Sequence, residues 1–123
     1  FERRAHELAH ECQTRIVKLI GDEVMFVAER PADAARFVNG MTGSLTDDSV
    51  IPRGGLAFGN LINIHGDYFG PVVNLAARLT DTAVPGEVLV DESVAAHVGT
   101  EPAGRRMLKG FDQPVRVHTL LPE

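Results

Sequence analysis

The chain has 123 residues, which is enough for one domain with a real core but too few for two. Hydrophobic residues make up 44% and charged residues 24%, as in ordinary soluble globular proteins. The formal net charge of −5 argues against a nucleic-acid binder that relies on a basic surface, but it does not exclude a local cationic pocket.

The first part of the chain predicts a helix, a hairpin and a second helix. Residues 1–12 contain neither glycine nor proline, and their apolar residues recur at helical spacing. Residues 14–21 and 23–28 are rich in β-branched side chains and are joined by a short polar turn, which predicts an antiparallel hairpin. Pro31 then begins a helix whose apolar face extends to Leu45.

The second part of the chain alternates short strands with helices. Residues 54–60 and 61–66, which have glycines at their ends, are predicted to pair as a second hairpin. A helix is predicted to begin at Pro71 and to end at residues 83–86. The remaining predicted elements are a strand, a short helix and two last strands, at 87–91, 93–98, 105–110 and 114–120. This order predicts an α+β fold with a largely antiparallel sheet.

The segment GDYFGPVVNLAARL, residues 66–79, contains the polar residues Asp67, Asn74 and Arg78 among apolar ones. Asn74 and Arg78 are four residues apart, so they lie on one face of the predicted helix. A guanidinium at that place must meet an anion or water, and an asparagine beside it adds a neutral donor and acceptor. A solvated arginine on a half-buried helix is the commoner arrangement, and these residues alone leave both interpretations open.

Three further residues carry weaker signals. Lys18 lies within an apolar strand, where a lysine is disfavoured unless its amine reaches a partner or solvent. Asp22 follows Gly21 at the hairpin turn, where a carboxylate can point towards a cation. Lys109 lies near the end of a predicted strand. The alternatives are a lysine that extends to solvent, a simple turn aspartate and a solvated surface lysine.

Several standard signatures are absent from the sequence. It has no glycine-rich phosphate loop of the G-x-x-x-x-G-K-[ST] or G-x-G-x-x-G type. His6 and His10 lack a third zinc ligand, and the single cysteine, Cys12, excludes an internal disulfide and suits a reducing compartment. No apolar run approaches the ~20 residues that span a bilayer. We therefore expect a cytoplasmic segment without membrane contact, whereas regions outside this chain can still tether the protein.

Four segments together resemble the catalytic domain of the class III adenylyl and guanylyl cyclases. In chain order they are RIVKLIGDEVMFV, GDYFGPVVNLAARL, AVPGEVLVDESV and LKGFDQPVRVHTL. The short GDYFG junction is most similar to the bacterial branch of the family. The resemblance implies one cyclase domain over residues 1–123. Its fold would be a ferredoxin-like βαββαβ sheet with flanking helices, and the sheet would lack its first strand. The resemblance also implies a head-to-tail homodimer with its sites at the subunit interface.

The resemblance assigns a role to each polar residue. Asp22 corresponds to the second of two metal-binding aspartates, and Lys109 to a cation that holds the terminal phosphates of ATP. Lys18 and Asp67 correspond to the pair that reads the purine, and Asn74 and Arg78 to the transition-state residues. The implied cofactors are two divalent cations, Mg²⁺ or Mn²⁺.

The implied purine-reading pair favours ATP over GTP. A lysine donor and an aspartate acceptor match the ring nitrogen and the amino group of adenine, whereas guanine presents the opposite pattern. An unpaired buried polar group costs about 1–3 kcal/mol, which is enough to discriminate between the two nucleotides.

The sequence departs from the family pattern at one place. The first metal aspartate of the family lies on an opening strand, in a motif similar to F-x-D-I-x-G-F, and nothing in this chain matches it. We therefore expect this chain alone to be weak or inactive, and the full-length protein to convert ATP to cyclic AMP and pyrophosphate. The alternatives are a non-catalytic cyclase-like module, which binds nucleotide or dimerises to regulate a neighbouring domain, and an unrelated ferredoxin-like binding domain.

Overall fold

A computed structural model describes residues 2–44 and 51–122 of the chain. These residues fall into two compact units, one before and one after the segment 45–50. Helices are combined with two antiparallel hairpins and one mixed sheet, which confirms the predicted α+β class. The ferredoxin-like detail stays a prediction. Within the described part of the chain, no helix is both long and apolar enough to cross a lipid bilayer.

The first unit consists of two helices and a hairpin between them. Gly21 has a φ of +59° at the hairpin turn, a backbone conformation that glycine adopts without steric cost, and the two strands are antiparallel as predicted. The predicted second helix is present, although Leu45 lies outside the described residues. The elements are α1 (Glu2–Glu11), β1 (Thr14–Ile20), β2 (Glu23–Ala28) and α2 (Pro31–Ser44).

The core of the first unit is formed by apolar side chains of both helices and of the hairpin. Phe37 of α2 is fully buried, and its ring centroid lies 4.4 Å from that of Phe26 of β2. Leu8 of α1 packs against Gly40 of α2, where a Cβ would come within 2.7 Å of the Leu8 Cδ2. The two helices therefore approach each other closely because one of them presents a glycine at the contact.

The second unit is built on a four-stranded sheet and carries a separate two-stranded hairpin. The sheet has the order β3-β6-β8-β7, in which β3 and β6 are parallel and the other neighbours antiparallel. The hairpin pairs β4 with β5. The elements are β3 (Gly54–Leu56), β4 (Ile62–Ile64), β5 (Asp67–Phe69), α3 (Pro71–Thr82), β6 (Val88–Val90), α4 (Glu92–Ala95), β7 (Thr100–Arg106) and β8 (Val115–Leu120).

The predicted pairing of residues 54–60 with residues 61–66 is wrong. β3 pairs with β6 instead, because α3 supplies the long crossover that a parallel pair requires. β4 turns back through His65 and Gly66, whose φ angles of +53° and +83° are those of a two-residue primed turn. Asp67 therefore opens the second strand of a short hairpin that leads directly into α3.

The predicted strand over residues 105–110 is also displaced. β7 begins earlier, at Thr100, and ends at Arg106. The chain cannot continue as a strand because residues 108–111 form a tight turn, in which the Phe111 amide donates to the Leu108 carbonyl at 3.0 Å. The predicted helix from Pro71 to the 83–86 segment is confirmed.

The core of the second unit lies between α3 and the sheet. Its fully buried side chains include Leu79 of α3, Leu89 of β6 and Val117 of β8. Gly55 of β3 lies directly against the α3 backbone, since a Cβ there would be 2.6 Å from the Thr80 nitrogen. This contact fixes the position of α3, the helix that carries Asn74 and Arg78.

Candidate functional site

Two polar residues of the segment 66–79, Asn74 and Arg78, lie on α3, one turn apart. The helix begins at Pro71, which needs no amide partner in the first turn, after Gly70 with a φ of +135°. Asn74 is exposed, whereas Arg78 is half-buried, with 32% of its side chain accessible. The hairpin turn, Gly70 and Pro71 together fix where α3 begins. Both side chains therefore project from the same helix.

Arg78 combines one ion pair with one unsatisfied donor. Its Nη1 donates to Oδ2 of Asp81 at 3.3 Å. Its Nε is buried and has no hydrogen-bond partner among the described residues. A buried donor without an acceptor costs about 1–3 kcal/mol, and more when the group is charged. Within the described residues, the guanidinium of Arg78 is therefore only partly satisfied.

An open cleft of about 610 Å³ lies beside the first turns of α3. Its walls include Asn74 of α3, Phe58 of the segment after β3, Asp91 at the end of β6 and Phe111. Its volume falls in the range of small-molecule sites, which are concave and mostly apolar with a few polar groups. The Asn74 amide and the Asp91 carboxylate are such groups, whereas Arg78 lies one turn further along α3 and is not part of the wall.

Asp91 is a buried carboxylate that the sequence interpretation did not single out. Its carboxylate accepts a hydrogen bond from the Val94 amide at 2.9 Å and caps α4. Burial raises the pKa of Asp91 above its ordinary value, against the opposing effect of hydrogen bonds from the backbone of Val94 and Phe58. An aspartate directly before a short helix was the available signal, and it indicates the cap but not the burial.

Lys109 lies at the tip of the turn beside this cleft. The turn runs from the buried Leu108 to Phe111, and Gly110 takes a φ of +86°. That φ at the third position is typical of a type II turn, which places Lys109 at the exposed second position. Gly110 and Phe111, the two residues that follow Lys109, line the cleft.

An ion pair anchors the strand that leads to this turn. Arg106, the last residue of β7, donates to both carboxylate oxygens of Glu87, at 2.6 and 2.9 Å. The Glu87 carboxylate also accepts from the Val84 amide at 3.1 Å. The hydrogen bonds that Arg106 donates to Glu87 lower the pKa of Glu87 and raise the pKa of Arg106. The pair ties the start of β6 to the end of β7, three residues before Lys109.

Asp67 lies in the same unit as Asn74, Arg78 and Lys109. It is the half-buried first residue of β5, and its Oδ1 accepts from the Tyr68 amide at 3.0 Å. The structure thus brings four of the six predicted residues into the second unit. These four come from β5, α3 and the 108–111 turn.

Lys18 and Asp22 lie in the first unit. Lys18 is an exposed residue of β1, opposite Met25 in the antiparallel register. Asp22 is exposed at the turn between β1 and β2. Both side chains therefore lie at the surface of the hairpin.

Asp22 fits a metal site only as a single ligand. Over residues 2–44 and 51–122, no group of three His, Cys, Asp or Glu side chains comes together as a metal site. Mg²⁺ commonly takes one or two protein carboxylates and completes its shell with phosphate and water. The exposed carboxylate of Asp22 suits one such position, and the described residues do not provide a complete ligand set.

Comparisons with known proteins identify the family of the chain. No protein-family model matches the chain. The chain is 42% identical over 97 residues to an adenylate cyclase of Glutamicibacter nicotianae and 39% identical over 97 residues to an adenylate cyclase of Streptomyces griseus. Each of these alignments covers 77% of the chain and 24% of the relative.

A solved structure shares the fold. The adenylate/guanylate cyclase/hydrolase of Silicibacter pomeroyi superposes with a TM-score of 0.77 at 21% identity, over 99% of this chain and 80% of that one. Fold and sequence together define a nucleotide cyclase catalytic domain. The chain belongs to the adenylate/guanylate cyclase family, which confirms the resemblance found in the sequence. It spans between about a quarter and a third of the length of the curated relatives it matches.

Proposed function

We propose that the full-length protein is an adenylyl cyclase, which converts ATP to 3′,5′-cyclic AMP and pyrophosphate. The observation that carries the proposal is the placement of Asn74 and Arg78 one turn apart on α3, in a chain of the cyclase family. The adjacent cleft, with Asn74 in its wall, supports the same conclusion. The likeness to relatives named adenylate cyclase supports ATP as the substrate.

The reaction is an internal phosphoryl transfer. The 3′-oxygen of the ribose attacks the α-phosphorus. The bond between the α-phosphorus and the oxygen that bridges to the β-phosphorus breaks, and pyrophosphate leaves. Such reactions depend mostly on positioning and on stabilisation of charge. Arg78 would donate to the phosphate oxygens as negative charge develops, with a planar fork that a lysine cannot copy.

The other residues of the second unit would bind and orient the substrate. The Asn74 amide would hold the ribose through its donor and acceptor, because it lines the cleft. Lys109 would pair with the terminal phosphates from the tip of its turn. Each of these contacts fixes the attacking oxygen relative to the α-phosphorus, which lowers the entropic cost of the reaction.

Divalent cations, Mg²⁺ or Mn²⁺, supply charge neutralisation at the phosphates and at the 3′-oxygen when they are bound. Asp22 would contribute one carboxylate to them from its exposed turn. The sequence offers no counterpart of the first metal aspartate of the family, so the proposed reaction requires ligands beyond the residues described.

Lys18 and Asp67 would select adenine. The lysine amine donates to a ring nitrogen, and the aspartate accepts from the amino group. With GTP the lysine donor would face a donor of guanine and the aspartate acceptor would face an acceptor, so at least one of the two groups would remain unpaired. Lys18 is an exposed residue of β1.

The complete domain would act as a homodimer. The β4–β5 hairpin exposes three large apolar side chains, Ile62, Ile64 and Phe69, which are 59%, 51% and 49% accessible. A two-stranded hairpin is marginally stable when nothing covers it. A second copy of this chain is the occupant that fits, because the hairpin leads directly into α3 and would bring the partner next to the substrate residues.

The proposal is tested by the products that the purified full-length protein forms from Mn-ATP and Mg-ATP. We expect cyclic AMP and pyrophosphate in equal amounts, and an Asn74→Ala variant should lose at least about tenfold in kcat because the ribose is no longer oriented. The matched control is Arg116→Ala, which removes an exposed side chain of β8. Binding of ATP without any product would instead identify the non-catalytic module.

A further inference from the structure

Arg78 is held at one end only. Its Nη1 pairs with Asp81 of the same helix at 3.3 Å, while its Nε is buried without a partner among the described residues. Asp81 is 63% accessible, so this ion pair is largely solvated and contributes little to stability. The pair nevertheless orients the guanidinium, because it holds Nη1 beside the Asp81 carboxylate.

A guanidinium offers two different edges to an anion. Nε and Nη2 point to the same side and form the side-on edge, which matches the two oxygens of a carboxylate or phosphate. Arg30 of this chain shows that use, because its Nε and Nη2 donate to Asp33 at 3.0 and 3.4 Å. Asp81 contacts Arg78 through Nη1 and so leaves the side-on edge uncommitted.

The backbone that carries Asp81 is itself fixed. Arg53, just before β3, donates from Nη1 to the carbonyl oxygens of Asp81 and Ala83, at 3.3 and 3.4 Å. These carbonyls belong to the last turn of α3 and lack helical partners. Gly55 adds the close contact between β3 and the middle of α3. Asp81 therefore holds Arg78 from a part of the helix that is tied to the sheet.

We propose that Asp81 is a positioning residue for Arg78, which holds Nη1 and so fixes the orientation of the guanidinium towards a phosphate. The inference rests on the proposed cyclase function, and it adds a residue to which the sequence resemblance gave no role. Since Arg78 would act on charge that develops in the transition state, misorientation should lower kcat more than it changes KM.

The test is steady-state kinetics of the full-length protein with ATP. Asp81→Asn keeps the shape but removes the charge, and we expect a fall in kcat of about tenfold, smaller than the ~100-fold loss that a 1 Å misplacement can cause. KM for ATP should stay within about twofold. Asp81→Glu retains the charge at the same helical spacing and should recover most of the lost kcat.

A second ion pair of the chain provides the matched control. Arg4 and Glu7 of α1 have the same i, i+3 spacing and similar exposure, with a distance of 3.5 Å. Glu7→Gln should leave kcat and KM unchanged. If Glu7→Gln and Asp81→Asn had equal effects on kcat, the effect of Asp81 would be a general consequence of losing a surface charge, and the inference would be overturned.

A double-mutant cycle separates this inference from the proposed function. If Asp81 acts through Arg78, Asp81→Asn should have no further effect on kcat in an Arg78→Ala background. Unchanged or increased kcat in Asp81→Asn, together with a collapse in Arg78→Ala, would overturn the positioning role and leave the cyclase function standing. Full cyclic AMP formation by Arg78→Ala would overturn the function assigned to Arg78 and the inference with it.

Discussion

Gly55 of β3 and Ala76 of α3 are in direct backbone contact, since a Cβ on Gly55 would lie 2.7 Å from the Ala76 carbonyl oxygen. Gly55→Ala must therefore move α3 away from the sheet. We expect a loss of about 1–3 kcal/mol in the free energy of unfolding, measured by chemical denaturation. The control is Gly43→Ala in α2, where a Cβ meets none of the described residues within 4 Å and an alanine favours the helix. Equal stability of the two variants would contradict the contact.

Glu87 should make the stability of the protein depend on pH in the acid range. Arg106 lowers the pKa of Glu87 in the folded state below its ordinary value of 4.5, so the unfolded chain binds the proton more readily. The stabilisation is therefore fully present above the unfolded pKa and is lost as the pH falls through the lower folded pKa. Glu87→Gln should flatten this part of the curve of unfolding free energy against pH, and an unchanged slope would contradict it.

Lys18 should decide between the two purine nucleotides. Lys18→Ala in the full-length protein removes the donor to the adenine ring, so the ratio of kcat/KM for ATP over that for GTP should fall by about tenfold, as expected for the loss of a hydrogen bond to a charged group. Arg15→Ala removes a charge from an exposed position of the same strand and serves as the control. A ratio that stays constant in Lys18→Ala would show that other residues read the purine.

The β4–β5 hairpin should control association. Replacing Ile64 and Phe69 with lysine places two charges on the exposed apolar surface, and sedimentation should then show a monomer where the unmodified full-length protein is a dimer. Val84→Lys alters an apolar residue of similar exposure outside the hairpin and should leave the dimer intact. A monomeric unmodified protein with full activity would rule out the shared site.

Shared sites also predict complementation. Asp22→Ala and Arg78→Ala chains, each inactive alone, should form one working site when mixed, because the intact residues come from different subunits. Cyclic AMP formation in the mixture is the measurement. Confirmed heterodimers without activity would contradict a site built from two chains.

Local sequence signals were sufficient for the helices and for the first hairpin. Pro71 and the 83–86 segment bound α3, and the glycine turn bounds β1 and β2, because each of these features acts through its immediate neighbours. The parallel pairing of β3 with β6 could not be predicted in this way, since it depends on α3 lying against Gly55. The start of β7 was missed because Pro102 and Gly104 interrupt its pattern at an irregularity in the register.

The site residues were predicted from the resemblance of four segments to the cyclase family, whereas their environment came from the structure. No sequence pattern shows that the Arg78 Nε is buried or that Asp81 holds only Nη1. The hydrogen bond from the Phe58 backbone to the Asp91 carboxylate likewise joins segments that are remote from each other in the sequence. Such properties depend on three-dimensional packing, which a spacing argument does not contain.

The most direct measurement is kcat/KM for the conversion of ATP to cyclic AMP by the full-length protein and by its Arg78→Ala variant, with Arg116→Ala as the control. The proposed role of Arg78 predicts a loss of about 100- to 1,000-fold in Arg78→Ala, the range found when a donor to developing charge is removed, and no change in Arg116→Ala. Equal kcat/KM in Arg78→Ala and the unmodified protein would contradict the claim that this guanidinium stabilises the transition state.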